Sequence, residues 1–428
     1  MKKVLTAVCA AVTLFGANLH FSLHKMESGK GDTLLIIGGI HGNEPGGYFA
    51  PSLFLSRYKI EHGNVWVVPN LNFDSIVANQ RGVYGDMNRK FAVIKNDDKD
   101  KEIVADIKKI MTEPQVGLIL NLHDGHGFYR PVAKNDLFNP KAWGQAFIID
   151  QQSLAGAKYG NLAEIASKVT AKNKVVLQED VHEFNVKNTE TKDKDEAMRQ
   201  SLTYFAIQNK KPALAVETSK NISDLPTKVL YQLKSFEEFM QIMGIKYKRD
   251  FELNIKTVSM LLKEHGEIEI PPLKIKLPLS ELRPQINYFP VDQKGVAYKS
   301  QNPLVALVKN GGKYDIYDGN IKLATLSPQG YKFDDSIKEV DVNIDGKTQK
   351  AAFGSYIKVK SVIKIDVPSE YRLNIIGFSK AGVDNESGIE VSKNSFEKSY
   401  SLDKSAKLYR AEVYKGKNFC GMIIINFE

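Results

Sequence analysis

Two hydrophobic rhythms divide the chain. Up to about residue 248 the apolar residues fall in short unbroken runs. These are Leu34-Leu35-Ile36-Ile37, Val65-Trp66-Val67-Val68, Leu118-Ile119-Leu120-Asn121-Leu122, Ala146-Phe147-Ile148-Ile149 and Ala213-Leu214-Ala215-Val216. Such runs, lacking polar alternation, suit strands buried on both faces. Stretches with helical spacing lie between them, over residues 102–111, 154–169 and 225–245. The order predicts an α/β layer with a mixed sheet over residues 18–248.

Beyond Lys248 the rhythm becomes period two. Residues 268–278 alternate but are broken by prolines, and 357–367 alternate apolar and polar with period two. The runs at 408–414 and 422–427 continue the pattern. This predicts half-buried antiparallel strands. They are read as a β-rich domain over 249–340 and a β-sandwich-like domain over 341–428, with one larger β domain as the alternative. The predicted class is therefore α/β, a mixed-sheet domain followed by two small β-rich domains.

The first 17 residues read as a secretory signal peptide. Lys2-Lys3 precede the apolar stretch 4–17, which is shorter than the roughly 20 residues a membrane span needs. Cleavage near Ala17 and export to the periplasm are expected, and no transmembrane segment is. Cys9 would leave with the signal, so Cys420 is alone in the mature chain and no intrachain disulfide can form. Stability must then come from core packing, which 428 residues can supply. The net charge of +9 suits an anionic surface or polymer. No nucleic-acid motif accompanies it, so nucleic acid is not an expected partner. The polar stretches 95–101 and 187–194 read as solvated loops.

The candidate chemistry sits where apolar runs end. Ile36-Ile37-Gly38-Gly39-Ile40-His41-Gly42-Asn43-Glu44 places His41 and Glu44 on a glycine-rich turn. Leu120-Asn121-Leu122-His123 ends a second run in His123, with His126 as a competing third ligand. Two imidazoles and a carboxylate around an open position make a hydrolytic zinc site, here with one ion. Glu217 ends the run Ala213–Val216 and is the candidate general base, because such runs end at one sheet edge. Between the ligand segments lie Arg81, Asp86, Asn88 and Arg89. A guanidinium fork can hold a substrate carboxylate or an oxyanion, and an aspartate can orient a ligand imidazole. His182-Glu183 reads as loop.

His41-x-x-Glu44, Arg81, Asp86-x-Asn88-Arg89, His123 and Glu217, in that order, resemble the carboxypeptidase A-like zinc carboxypeptidases. The resemblance covers about residues 30 to 245. It implies His41, Glu44 and His123 as zinc ligands with Asp86 behind His41. It implies Arg81 as oxyanion stabiliser, Asn88 and Arg89 as carboxylate anchors, and Glu217 as general acid/base. The family's substrate-covering tyrosine has no assigned position, Tyr204 being one candidate. The whole layout is similar to the bacterial peptidoglycan DL-carboxypeptidases that determine helical cell shape. That implies a wall muropeptide substrate, L-Ala-γ-D-Glu-meso-diaminopimelate, cut before its terminal residue. It also implies wall or shape-complex proteins as partners, with the β domains as buttress or contact surface.

Two other readings stand beside this one. The segment Gly38–Glu44 also resembles the aspartoacylase and succinylglutamate desuccinylase group, cytoplasmic deacylases of small amino acids. The export signal and long β tail oppose it. A non-catalytic wall scaffold would have lost ligands, and none is missing here.

Overall fold

The computed structural model describes residues 20–271, 275–293 and 295–428. The expected signal segment, with Cys9, lies outside them. One compact unit extends to Lys263, and a second runs from Glu264 to Glu428.

The first unit is built on an eight-stranded sheet. Four strands at its centre are parallel neighbours: Tyr58–Val68, Thr33–Ile37, Val116–Gly125 and Ala213–Ser219. Antiparallel strands flank them. His24–Ser28 and Lys246–Arg249 pair with Tyr58–Val68, and Ala146–Ile149 pairs with Ala213–Ser219. The sheet is thus mixed, with both faces of its central strands covered. Leu34, Leu35, Ile36 and Ile37 are fully buried, as unbroken apolar runs require.

Helices Gly46–Arg57, Lys101–Thr112, Leu162–Asn173, Leu202–Gln208 and Leu225–Ile242 lie among these strands. Gly46–Arg57 has no amphipathic signature. It is apolar nearly all round, contains Pro51 and is buried over its first nine residues. The helix predicted over 154–169 starts only at Leu162. Gly156 takes φ +76°, and the Leu154 amide folds back onto the Gly160 carbonyl at 2.8 Å. A loop forms there instead. The stretch 187–194 is not simply a solvated loop either. Lys187 belongs to the strand Asn185–Asn188, which pairs with Ala146–Ile149.

The second unit holds two cores that share strands. Leu408–Lys415 and Asn418–Phe427 form a hairpin buried on both faces, not half-buried as the alternation suggested. Tyr409, Ala411, Val413, Ile423 and Ile425 point into one core, and Tyr414, Met422 and Ile424 into the other. The stretch 357–367 is two strands, not one. Tyr356–Val359 joins the hairpin's sheet and Val362–Asp366 joins a different one. The break is held by the Asp345 carboxylate, which accepts from the amides of Lys360, Ser361 and Val362 at 2.8 to 3.0 Å. Not every pairing is antiparallel: Gln285–Asp292 runs parallel to Ile321–Tyr331, and Tyr356–Val359 parallel to Asn418–Phe427.

One charged pair lies inside this unit. Arg410 and Glu412 are both buried and 3.1 Å apart. Arg410 also donates to the carbonyls of Asn287 and Tyr288, each at 3.1 Å. Removing one member of a buried pair strands the other charge. Arg410→Ala is therefore expected to destabilise the second unit by about 3 to 5 kcal/mol. Urea unfolding of the purified chain checks this, and the double replacement Arg410→Met/Glu412→Leu is expected to recover most of the loss.

Candidate metal centre

The parallel register carries the chemistry to one edge. His123 and Glu217 are paired positions on neighbouring strands, both near the C-terminal ends. Open α/β sheets bind ligands at that edge. The strand Thr33–Ile37 ends there too and leads into the turn bearing His41 and Glu44. This turn packs so closely that side chains are excluded. A Cβ on Gly42 would lie 1.8 Å from the Ser75 carbonyl oxygen, and one on Gly38 would lie 2.2 Å from that of Gly47.

His41, Glu44 and His123 converge. One nitrogen or oxygen from each lies within 4.8 Å of the others, and all three residues are buried. Glu44 takes the middle position. Its Oε1 is 3.0 Å from His41 Nδ1, and its Oε2 is 2.8 Å from His123 Nδ1. Burial alone would raise the Glu44 pKa, but the two imidazoles outweigh it and hold the carboxyl well below the usual range. Burial lowers the His123 pKa and favours the neutral form a ligand needs.

The surroundings fix the ligands. Asp86 Oδ1 lies 2.9 Å from His41 Nε2, leaving Nδ1 to face the cluster. That Nδ1 is buried and forms no hydrogen bond. Asp86 also accepts from the Asn88 amide at 2.9 Å and from Arg81 Nε at 3.0 Å. Arg81 bridges onward to Glu44 Oε1 at 3.2 Å, and Lys220 reaches the same oxygen at 3.2 Å. A buried carboxylate between two imidazoles, one of them with an unsatisfied nitrogen, fits a metal ion. His126 lines the same cavity but stands outside the cluster.

Glu217 is buried, and its Oε2 has no hydrogen-bond partner. Burial raises its pKa well above the ordinary value, and the charges of Glu44 and Asp124 add to the shift. Room for this carboxylate depends on Gly125, where a Cβ would sit 2.7 Å from Oε2. Asp124 plays a scaffold part, accepting from the Gly46 amide at 2.9 Å at the start of a helix.

These groups line a cavity of about 380 Å³ with Arg81, Asn88 and Arg89. The Asn88 side-chain oxygen accepts from the Leu202 amide at 2.9 Å, which leaves its NH2 group for the cavity. Asn121, Trp143, Met198 and Thr203 complete much of the wall, and sequence pattern pointed to none of them. Lys187 braces Trp143 from behind, with its ammonium 4.0 Å from the ring centre and donating to the Ala142 carbonyl at 2.8 Å. Burial lowers its pKa to about 8. No tyrosine lines the cavity among the described residues, and Tyr204 lies on the first turn of the helix Leu202–Gln208. His182 is a packed histidine, bonded to the Tyr231 hydroxyl at 2.9 Å and stacked on Phe128.

A mixed α/β sheet with two imidazoles and a carboxylate at its C-terminal edge, a buried free carboxylate beside them and arginines at the mouth defines a metallohydrolase of the carboxypeptidase type. The family relationships agree. Residues 1–263 match the catalytic domain of the carboxypeptidases controlling helical cell shape, and residues 333–428 match the C-terminal domain of metallo-carboxypeptidases. The chain belongs to this family of cell-shape carboxypeptidases. It is 38% identical to the cell shape determinant protein Csd4 of Helicobacter pylori, with 95% of this chain and 100% of that one covered and a TM-score of 0.91. The same identity, coverage and TM-score hold for the tripeptide-bound Csd4 structure and for the mDAP-bound form, described as a D,L-carboxypeptidase. No curated protein sequence matches the chain.

The contact of Asp86 with His41 can be tested separately from catalysis. Losing such a support for a ligand imidazole weakens metal binding by about 10- to 100-fold. Asp86→Ala is expected to do so, read by competition with a metal-chelating dye.

Proposed function

We propose that this chain is an exported, zinc-dependent DL-carboxypeptidase of the cell wall. It removes the terminal meso-diaminopimelate from the stem tripeptide L-Ala-γ-D-Glu-meso-diaminopimelate and leaves a dipeptide. The observation that carries the reading is the juxtaposition of the His41–Glu44–His123 cluster with the unpaired, buried carboxylate of Glu217. The substrate follows from Csd4, which has been solved with a tripeptide and with mDAP. The net charge of +9 suits an anionic wall polymer.

His41, Glu44 and His123 would hold the ion through Nδ1, a carboxylate oxygen and Nδ1. Zinc in such a set polarises a carbonyl and lowers the pKa of water. Asn88 and Arg89 bind the terminal carboxylate and set the register of the peptide in the cavity. Glu217 removes the proton of the attacking water. Its raised pKa makes it strong enough as a base to take that proton and acidic enough to release it to the departing amine. Arg81 faces the negative charge that develops on the carbonyl oxygen. Asp86 keeps His41 in the tautomer that presents Nδ1. The β-rich unit supports or docks the enzyme at the wall.

Glu217→Gln keeps the size of the side chain and removes its proton chemistry. It is expected to lower kcat on the tripeptide by about 10²- to 10⁴-fold while one metal ion per chain is retained. Product release followed by mass spectrometry, with metal analysis of the same sample, checks both. Near-normal turnover by this variant would show that Glu217 is not the base.

A further inference from the structure

The Glu264–Glu428 unit contains a second cleft, of about 540 Å³, that shares no residue with the metal cavity. Its wall is one-signed. Lys332, Arg372 and Lys417 line it, and no carboxylate does. Several other lysines of the unit do have carboxylate partners. Lys322 meets Asp315 at 2.8 Å, Lys350 meets Asp341 at 3.2 Å and Lys364 meets Asp366 at 3.2 Å. Among the described residues, none of the three cleft cations has an ion-pair partner within 4 Å.

The central cation is held in place. Arg372 lies over the ring of Tyr414, 4.8 Å from its centre, and gives one nitrogen to the side chain of Asn374. Tyr414 is itself fixed, donating to buried Glu412 at 2.5 Å and packing against Tyr331 at 5.4 Å. Stacking on a locked ring orients a guanidinium fork before any ligand arrives, and a fork matches a carboxylate in two places. Gln293 and Asn418 add neutral amides that suit peptide groups. Lys417 reaches the cleft from the tight turn of the hairpin, where Gly416 takes φ +58°.

From this arrangement we infer that the cleft is a second binding site, for the free carboxylates of wall stem peptides, and that it keeps the enzyme on its polymer between cuts. The inference rests on the wall substrate proposed above. Its chemistry is that of an oxyanion flanked by amides, with Arg372 gripping one carboxylate and the two lysines attracting others. The cleft's volume is in the range of sites for small ligands.

The test uses the full mature chain carrying Glu217→Ala, so that nothing is cut, pelleted with purified insoluble peptidoglycan over a salt series. Lys332→Ala/Lys417→Ala is expected to weaken binding roughly tenfold and to flatten its salt dependence. Arg372→Lys keeps the charge but loses the planar fork, and is expected to weaken binding several-fold. In the Glu217 background neither change should alter hydrolysis of soluble tripeptide or the melting temperature. Pelleting that both variants leave unchanged would overturn the inference, as would an Arg372→Lys variant that binds like its parent. Loss of binding to anionic phospholipid vesicles, with peptidoglycan binding intact, would assign the cleft to a membrane surface and also overturn it. If the chain with Glu217 intact left tripeptide uncut, the functional proposal would fail instead, and the two failures are read from separate samples.

Discussion

The carboxylate of Glu44 is the point on which the site depends. It is buried, and an isolated buried carboxylate would take up a proton or unfold its surroundings. Here it is surrounded: His41 and His123 on either side, Arg81 and Lys220 at 3.2 Å, and the Asp124 amide at 3.2 Å. These partners are delivered by four pieces of backbone, one of them the turn that carries His41 and Glu44 itself. His123 and the Asp124 amide come from one central strand, Lys220 follows the next, and Arg81 comes from the loop before Asp86. The charge on Glu44 therefore reports whether the turn, two strands and a loop are all in register. Glu217 is the converse. It is buried with no partner on Oε2, and burial first, then the charges of Glu44 and Asp124, raise its pKa. Two carboxylates within one cavity are driven in opposite directions by their surroundings, which is how acid and base roles are separated at one pH.

Much of this was legible because buried parallel strands write themselves plainly. Four-residue apolar runs have one satisfactory fate, and residues directly after them fall at one sheet edge. His123 and Glu217 directly follow such runs, and His41 follows one by a short glycine-rich turn. Ala146–Ile149 has the limits its apolar run suggested. The wall of the cavity was not legible. Trp143, Met198 and Thr203 come from loops and a short helix, where no period announces an inward side chain. Gly125 matters for the space it leaves beside Glu217, and pattern cannot show a space. The helix Gly46–Arg57 was missed because a helix buried nearly all round has no polar face to reveal its period.

The second unit misled in an instructive way. Period-two alternation normally means one face in the core and one in water. In the hairpin of Leu408–Lys415 and Asn418–Phe427 both faces meet a core, and even the polar positions are inside. Arg410 and Glu412 form an ion pair there instead of facing solvent, with Arg410 also donating to backbone carbonyls and Glu412 accepting from Tyr414. Alternation was present, but its polar phase marked a buried ion pair. The stretch 357–367 crosses from one sheet to another at Lys360-Ser361, where two polar residues in a row slip the alternation and Asp345 holds the turn without proline or glycine. The sharing of one hairpin between two cores couples them, so that a change in the hairpin is felt in both.

What the enzyme cuts, and what it needs to do so, bear most directly on the role of the metal cluster. Purified protein would be incubated with defined tripeptide, tetrapeptide and pentapeptide muropeptides, untreated, stripped by chelator, and restored with zinc, and the products weighed by mass spectrometry. Loss of a single terminal diaminopimelate from the tripeptide alone, abolished by chelation and restored by zinc, is the result that the cluster of His41, Glu44 and His123 predicts. Undiminished cleavage in the stripped enzyme, or three intact muropeptides in the presence of zinc, would contradict it.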